Sequence, residues 1–417
     1  MTPQEGLAHF ASLSPSSIKM GLERVQVALE QLGNPQRNFP ALHVAGTNGK
    51  GSTCAIAAAC LSTRYRTGLY TSPHLIRPNE RIQLDGVEID DETFGRRIAE
   101  VVEVLGPNHE LTYFEFGTVV AFWHFAKERV ELAVLETGLG GRLDATTACA
   151  PKVTCITPID FDHQEYLGHT LAAIASEKAG IVKPGVPLIS SRQPPEALAV
   201  LERAGGPLLR LEERDFGVRP EADGSLSFWT RNETIGGLRL ALKGPHQRQN
   251  LAVALECLMA LEDFPLTRQQ LRSGVAAARW PGRLEEFPGE PPVVLDGAHN
   301  PAGVQALLRA LETEYAQRPV HLVFGVFADK DSEPMMRALF PKVAALHLTP
   351  VGNPRSKDPR SYEPLARTLN TRVQVHPDAA AALAAARATA PKEGLVVVAG
   401  SLFLVGQLRR VLLGQPR

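Results

Sequence analysis

The chain has 417 residues, 44% hydrophobic and 21% charged, the proportions of an ordinary soluble globular protein with room for two domains and two cores. A formal net charge of -1 gives no electrostatic case for nucleic acid or an anionic membrane surface as partner. The five cysteines, Cys54, Cys60, Cys149, Cys155 and Cys257, form no CxxC pair and sit among apolar or small residues, which predicts buried free thiols in a reducing compartment. The segment MTPQEGLAHF has no basic stretch followed by an apolar one, and no apolar run reaches bilayer-spanning length, so a cytoplasmic location is expected.

In chain order, the first informative segment is HVAGTNGKGST, His43 to Thr53, an apolar approach followed by a glycine-rich turn and, over Cys54 to Leu61, a predicted helix. Short β-rich runs at Leu132–Thr137, Val153–Ile159 and Val186–Ser191 alternate with helical patterns, as in a parallel sheet flanked by helices. Between Asp215 and Lys243 the runs LSFWT and LRLAL, separated by charged and Gly-rich residues, predict a small antiparallel sheet. RWPGRLEEFPGEPP, Arg279 to Pro292, is dense in Pro and Gly and is expected to be the interdomain linker. The strand-and-helix pattern then restarts: VVLD, a helix over Ala302–Tyr315, HLVFGVF, a helix over Pro334–Leu339, ALHLT, an Ala-rich helix over Asp378–Ala388, and VVVAGS. The expected fold is therefore α/β: a P-loop, doubly wound, mainly parallel sheet domain with a small antiparallel subdomain over residues 1–285, and a smaller Rossmann-like domain over 286–417.

The glycine-rich turn points to ATP. Gly46, Gly49 and Gly51 allow positive φ and turn N–H groups toward an anion, Lys50 supplies a point charge for the β and γ phosphates, and the following helix adds its dipole. Gly51 stands where the general P-loop pattern has its hydroxyl, so Ser52 and Thr53 are displaced by one place. Ser52 is thus either a metal-binding hydroxyl or a cap of the following helix.

The spelling GTNGKGS resembles the folylpolyglutamate synthase and dihydrofolate synthase family, relatives of the Mur ligases. TSPHLIRPNERI (Thr71–Ile82), LETGLGGRLDAT (Leu135–Thr146), DHQEYLG (Asp162–Gly168), SEKAGI (Ser176–Ile181), GRLE (Gly282–Glu285) and LDGAHNP (Leu295–Pro301) extend the resemblance in family order across most of the chain. It implies an ATP-dependent amide ligase that adds L-glutamate to folates, to dihydropteroate, or to both, through an acyl phosphate. It implies ATP contacts from Thr47, Asn48, Gly49, Lys50, Gly51 and Ser52, and Mg2+ at two sites held by Ser72, Glu136 and His163, with Ser52 a further candidate. Glu136 also qualifies on its own terms, since it ends a predicted strand where ligands of open α/β sheets collect.

The resemblance further implies that Lys178 is carbamylated, which requires a neutral amine and therefore a depressed pKa. Asn250 is implied as an adenine contact, against the alternative of a helix cap, and Arg283 as a phosphate contact carried by the linker. Asp296 and His299 are implied for nucleotide and glutamate, with helix capping the alternative for Asp296; Ser401 is implied for the glutamate carboxylate, with capping again the alternative. Arg142 and Asp144 are the polar candidates on the folate side, with Tyr113, Phe114 and Phe116 as aromatic ones; Thr147 stands where the family pattern has asparagine. Lys50, Lys178, His163, Glu136 and Arg283 make up the expected catalytic set. A Mur-type ligase acting on a UDP-linked peptidoglycan precursor shares the P-loop and the lysine but not the SPHL and LETGLGGRLDAT blocks. A P-loop switch protein has no use for a second doubly wound domain. The expected partners are small molecules, with no nucleic acid and no membrane, and the expected state is a monomer.

Overall fold

The computed structural model describes residues 1–14, 19–328, 330 and 332–415. These fall into two compact units, one of residues 1–74, 78–241 and 248–279, the other of 75–77, 242–247 and 280–417.

The N-terminal unit is built on an eight-stranded sheet: β1 (Ala41–Ala45), β2 (Thr67–Tyr70), β3 (Ile82–Leu84), β4 (Val87–Glu88), β5 (Leu132–Glu136), β6 (Pro151–Ile156), β7 (Leu188–Ser190) and β8 (Leu209–Leu211), in the order β4-β3-β2-β5-β1-β6-β7-β8. The pairs among β2, β5, β1, β6, β7 and β8 are parallel; β3 and β4 join as antiparallel edge strands. The central strands β1 and β5 are buried along their whole length, as strands covered on both faces must be. One face packs a core of Phe10, Phe94, Phe116, Phe122 and Phe125; the other packs Ile156, Ile174, Ile181 and Leu201. Because the central strands run parallel, the loops after β1, β2, β5 and β6 gather at their carboxyl ends.

A separate three-stranded antiparallel sheet, β9 (Phe216–Pro220), β10 (Leu226–Thr230) and β11 (Thr234–Leu238), belongs to the same unit. The last strand forms earlier than LRLAL predicts, because Ile235 and Leu238 are the residues that find buried positions opposite β10.

The C-terminal unit carries β12 (Glu285–Phe287), β13 (Val293–Leu295), β14 (Val320–Phe324), β15 (Ala345–Leu348), β16 (Val373–Val375) and β17 (Leu395–Ala399), ordered β12-β13-β17-β14-β15-β16. All neighbours are parallel except β12, which pairs antiparallel with β13. The stretch expected to be a linker therefore contains an edge strand: despite its prolines and glycines, Glu285–Phe287 closes the hydrogen-bonding edge of β13. Leu322, Phe324, Phe340 and Leu346 fill one face, and Val323, Val396, Leu404 and Leu408 the other. All five cysteines are buried and unbridged. Among the described residues no helix is long and apolar enough to cross a membrane.

Polarity enters this second core as a row of imidazoles. His321 on β14, His347 on β15 and His376 just beyond β16 stack at ring separations of 5.6 and 5.3 Å, with nitrogen contacts of 3.4 and 3.1 Å; the Thr389 hydroxyl is 3.3 Å from His321 Nδ1. Burial pushes His347 down from 6.5 to about 4, with His376 and His321 adding to the shift; His321 and His376 are lowered chiefly by burial, reinforced by Arg372 in the first case and opposed by Asp378 in the second. The folded values lie below the unfolded one, so this contribution to stability is whole above the unfolded pKa of 6.5 and is lost as pH falls toward 4. On going from about pH 7 to about pH 4.5, His347→Leu should lose ~1–2 kcal/mol less stability than the parent chain, read from urea midpoints of the full chain.

Candidate active site

The turn after β1 departs from β geometry at Gly46 (φ 143°) and Gly49 (φ 87°). A Cβ at Gly46 would drive into the Thr157 side chain, and one at Gly49 into the Asn250 amide, so both positions require glycine for space as well as for φ. Gly49 is the N-cap of the helix Lys50–Leu61 and no side chain caps that helix, which begins a full turn before the predicted start. Ser52 is accordingly the third residue inside the helix and not its cap. Asn250 likewise is no cap: it lies within the helix His246–Ala260 with its amide against Gly49.

A second loop holds this turn from beneath. Thr47 N–H and Asn48 N–H both donate to Pro158 O (2.9 and 3.3 Å), while the Thr47 hydroxyl donates to Asp160 O and accepts from Asp160 N–H, each at 3.1 Å. The strand expected over Val153–Ile159 ends at Ile156, so Thr157–Asp160 is a loop at the carboxyl end of β6, where a parallel sheet collects functional loops.

Lys50 Nζ donates to Thr47 O (3.3 Å) and lies 3.9 Å from Glu136 Oε1. Glu136 is buried at the end of β5, and its Oε2 accepts the Ser72 N–H at 3.2 Å. Lys178, 4% exposed, donates from Nζ to Gly46 O at 2.7 Å. Burial, reinforced by the Lys50 charge and opposed by Asp162 and Asp144, lowers its pKa to about 7. The structure thus brings Lys50, Glu136, Ser72, Lys178 and Asn250 together around the glycine turn. His163 is the N-cap of a short helix in left-handed geometry (φ 50°); its side chain is 43% exposed, with Nε2 3.8 Å from Asp162 Oδ1.

Among the described residues no three His, Cys, Asp or Glu side chains converge as a ready metal centre. Magnesium does not ask for one: it takes a carboxylate, hydroxyls, water and phosphate oxygens. The Glu136 carboxylate at a strand end, with the Ser72 loop bonded to it, fits that donor set.

The folate-side candidates divide. Both oxygens of buried Asp144 are engaged within their own loop, accepting from Gly138 N and Leu139 N (2.8 and 2.9 Å) and from Thr146 N and Oγ1 (3.0 and 2.5 Å). Burial raises its pKa all the same, against those hydrogen bonds. Arg142 is exposed and pairs with Glu177 at 2.9 Å, next to Lys178. Tyr113 and Phe116 are core residues, whereas Phe114 is only half-buried and packs on Gly138.

In the C-terminal unit Asp296 is buried after β13 and accepts from Leu284 N (3.1 Å) and Ala298 N (3.0 Å); Asn300, not Asp296, caps the helix Pro301–Glu314. Burial raises the Asp296 carboxyl, and Arg283 opposes that shift. His299 Nδ1 lies 2.8 Å from Gly297 O, and the Arg283 guanidinium packs against Gly297. Ser401 caps the helix Leu402–Leu412 by accepting from Phe403 N at 3.2 Å.

The Mur ligase middle domain family matches residues 44–258, and the Mur ligase, glutamate ligase domain matches 282–402, which makes the chain a Mur ligase in architecture. A folylpolyglutamate synthase from Lacticaseibacillus casei is 37% identical over 413 residues, spanning 94% of both chains, and a dihydrofolate synthase/folylpolyglutamate synthase from Bacillus subtilis is 35% identical over 95% of both. The structure of E. coli FolC in complex with DHPP and ADP superposes with a TM-score of 0.90 at 31% identity, covering 99% of this chain and 98% of that one. The chain belongs to the folylpolyglutamate synthase and dihydrofolate synthase family.

Asp144→Ala would orphan the loop donors it now satisfies. The variant should lose ~2–4 kcal/mol of unfolding free energy, measured by urea denaturation.

Proposed function

We propose that the chain joins the amine of L-glutamate to a carboxylate of a folate, of dihydropteroate, or of both, using ATP and passing through an acyl phosphate. What carries this reading is the clustering of Lys50, Glu136 and Lys178 on a glycine turn, in a chain that matches folate ligases along nearly its whole length. Relatives have been solved with ADP, and with AMPPCP and folate, which supports the same ligands here.

The backbone from Thr47 to Ser52 would cradle the phosphates, with Lys50 offsetting charge on the transferring phosphoryl group and Asn250 meeting the adenine. We assign Glu136, Ser72 and His163, with Ser52, to Mg2+ at two sites; bound there, the ion would neutralise phosphate charge. In the C-terminal unit we assign Arg283 to the phosphates, Asp296 and His299 to nucleotide and glutamate, and Ser401 to the glutamate carboxylate. Arg142 is assigned to the folate side, whereas Asp144 is better read as holding the loop between Glu136 and Thr146. Free buried cysteines suit a reducing compartment, and separate cores in the two units suit a monomer, so we place the enzyme in the cytoplasm as a monomer.

The direct test supplies ATP, magnesium and labelled L-glutamate with dihydropteroate or tetrahydrofolate and follows labelled pteridine by chromatography. Product in at least one tube is expected; label in neither, with ATP still bound, would favour a Mur-type ligase. Lys50→Ala and Glu136→Ala should each cut turnover by at least ~10³-fold with the circular dichroism spectrum unchanged.

Lys178 is poised for carbamylation: an amine with a pKa of about 7 is about half neutral at pH 7, and only the neutral form takes up carbon dioxide. Protein equilibrated with ¹³C-bicarbonate should show a carbamate carbon by NMR that Lys178→Arg abolishes. A spectrum with no carbamate in either protein would overturn the assignment.

A further inference from the structure

The hairpin of β2 and β3 brings another cation to the ligand edge of the N-terminal unit, one to which the phosphate chemistry assigns no task. Tyr70 pairs with Leu135 on one side and with Ile82 on the other, and Thr71 N–H donates to Arg81 O at 3.0 Å. Arg81 therefore stands across from Thr71, the residue before Ser72, whose own N–H bonds Glu136. Its half-buried side chain donates from Nε to His74 Nδ1 at 2.9 Å and lies over the Tyr113 ring at 5.2 Å. A guanidinium can only donate, so His74 is the acceptor, and these two contacts fix the guanidinium plane. Among the described residues it forms no ion pair with a carboxylate. Half-buried Phe114, 6.1 Å from Tyr70, supplies an aromatic wall close by.

We infer that Arg81 determines specificity for the pteridine substrate by binding the α-carboxylate of a folate's terminal glutamate, the carboxylate that does not react. The inference rests on the ligase reading above. A planar, permanently charged fork whose orientation is already fixed selects a carboxylate over a neutral group. Two strand spacings, about 10 Å, separate the backbones of Arg81 and Glu136. An arginine side chain together with the ~5 Å between the α- and γ-carboxylates of a glutamyl group covers that span, leaving the γ-carboxylate at the Lys50–Glu136 end. Dihydropteroate carries only its reacting carboxylate and offers Arg81 nothing further.

The test measures kcat and KM of the full chain, Arg81→Gln and Arg81→Lys on three substrates: tetrahydrofolate, tetrahydropteroyl-4-aminobutyrate, which keeps the γ-carboxylate and lacks the α, and dihydropteroate. For Arg81→Gln, a ~10–100-fold rise in the tetrahydrofolate KM is expected, with kcat changed less than ~2-fold and the KM for ATP unmoved. Constants for the other two substrates should stay at parental values, and Arg81→Lys should recover part of the tetrahydrofolate affinity. Should the glutamine variant not fold, a selective KM rise in Arg81→Lys, confined to tetrahydrofolate, carries the same meaning. An equal loss on all substrates, or an unchanged tetrahydrofolate KM, would overturn the role of Arg81 and leave the ligase reading standing. A parent chain that glutamylates dihydropteroate alone would also overturn it, and one that glutamylates none of the three would sink both readings.

Discussion

The N-terminal unit depends on one buried ammonium. Lys178 reaches the carbonyl of Gly46 from the far side of the phosphate turn, and its helix is held in turn by the loop after β5: Arg142 N–H donates to Glu177 O at 2.7 Å, and Gly141 packs so close to the carbonyls of Glu177 and Lys178 that a side chain there would not fit. Asp144 fastens the other end of that loop by accepting from Gly138 and Leu139. The strand end carrying Glu136, the glycine turn and the helix carrying Lys178 are thereby locked into one arrangement. Burial this thorough, with Lys50 nearby, lowers the pKa of that cation to about 7.

Much of this was legible in the residues. The order of strands and helices could be read because buried parallel strands are short apolar runs between helical patterns, and the phosphate turn because only glycine tolerates its geometry. What escaped was whatever depends on partners distant in sequence. The strand at Glu285–Phe287 is hidden among prolines and glycines, because its pairing comes from β13 and not from its own composition. Ser52 and Asn250 look like helix caps in one dimension, and only the folded helices show that both lie past the first residue. That Asp144 also fastens its own loop could not be read in one dimension: its donors Gly138, Leu139 and Thr146 are near in sequence, but their convergence is a property of the loop's path. Arg81 lies inside the block Thr71–Ile82, but nothing in that block marks it out, because the Tyr113 ring beneath its guanidinium comes from the start of another helix.

The second unit shows the same contrast in its core. β14 and β15 each carry one histidine in an otherwise apolar run, and with His376 these form a stack that no single strand's composition announces. Each neutral imidazole has one donor and one acceptor, so the nitrogen contacts along the row can be satisfied by one consistent choice of tautomers.

The reciprocal pairing of the Thr47 hydroxyl with both backbone groups of Asp160 has a mechanical meaning. Together with the two donors to Pro158 O, it ties the glycine turn to Pro158 and Asp160, so that two loops from separate crossovers are held in common register. Distortion at either one is transmitted to the other without passing through substrate. A change in length or hydrogen bonding at Thr157–Asp160 would therefore mistune the glycine turn while leaving every residue of the turn itself unaltered.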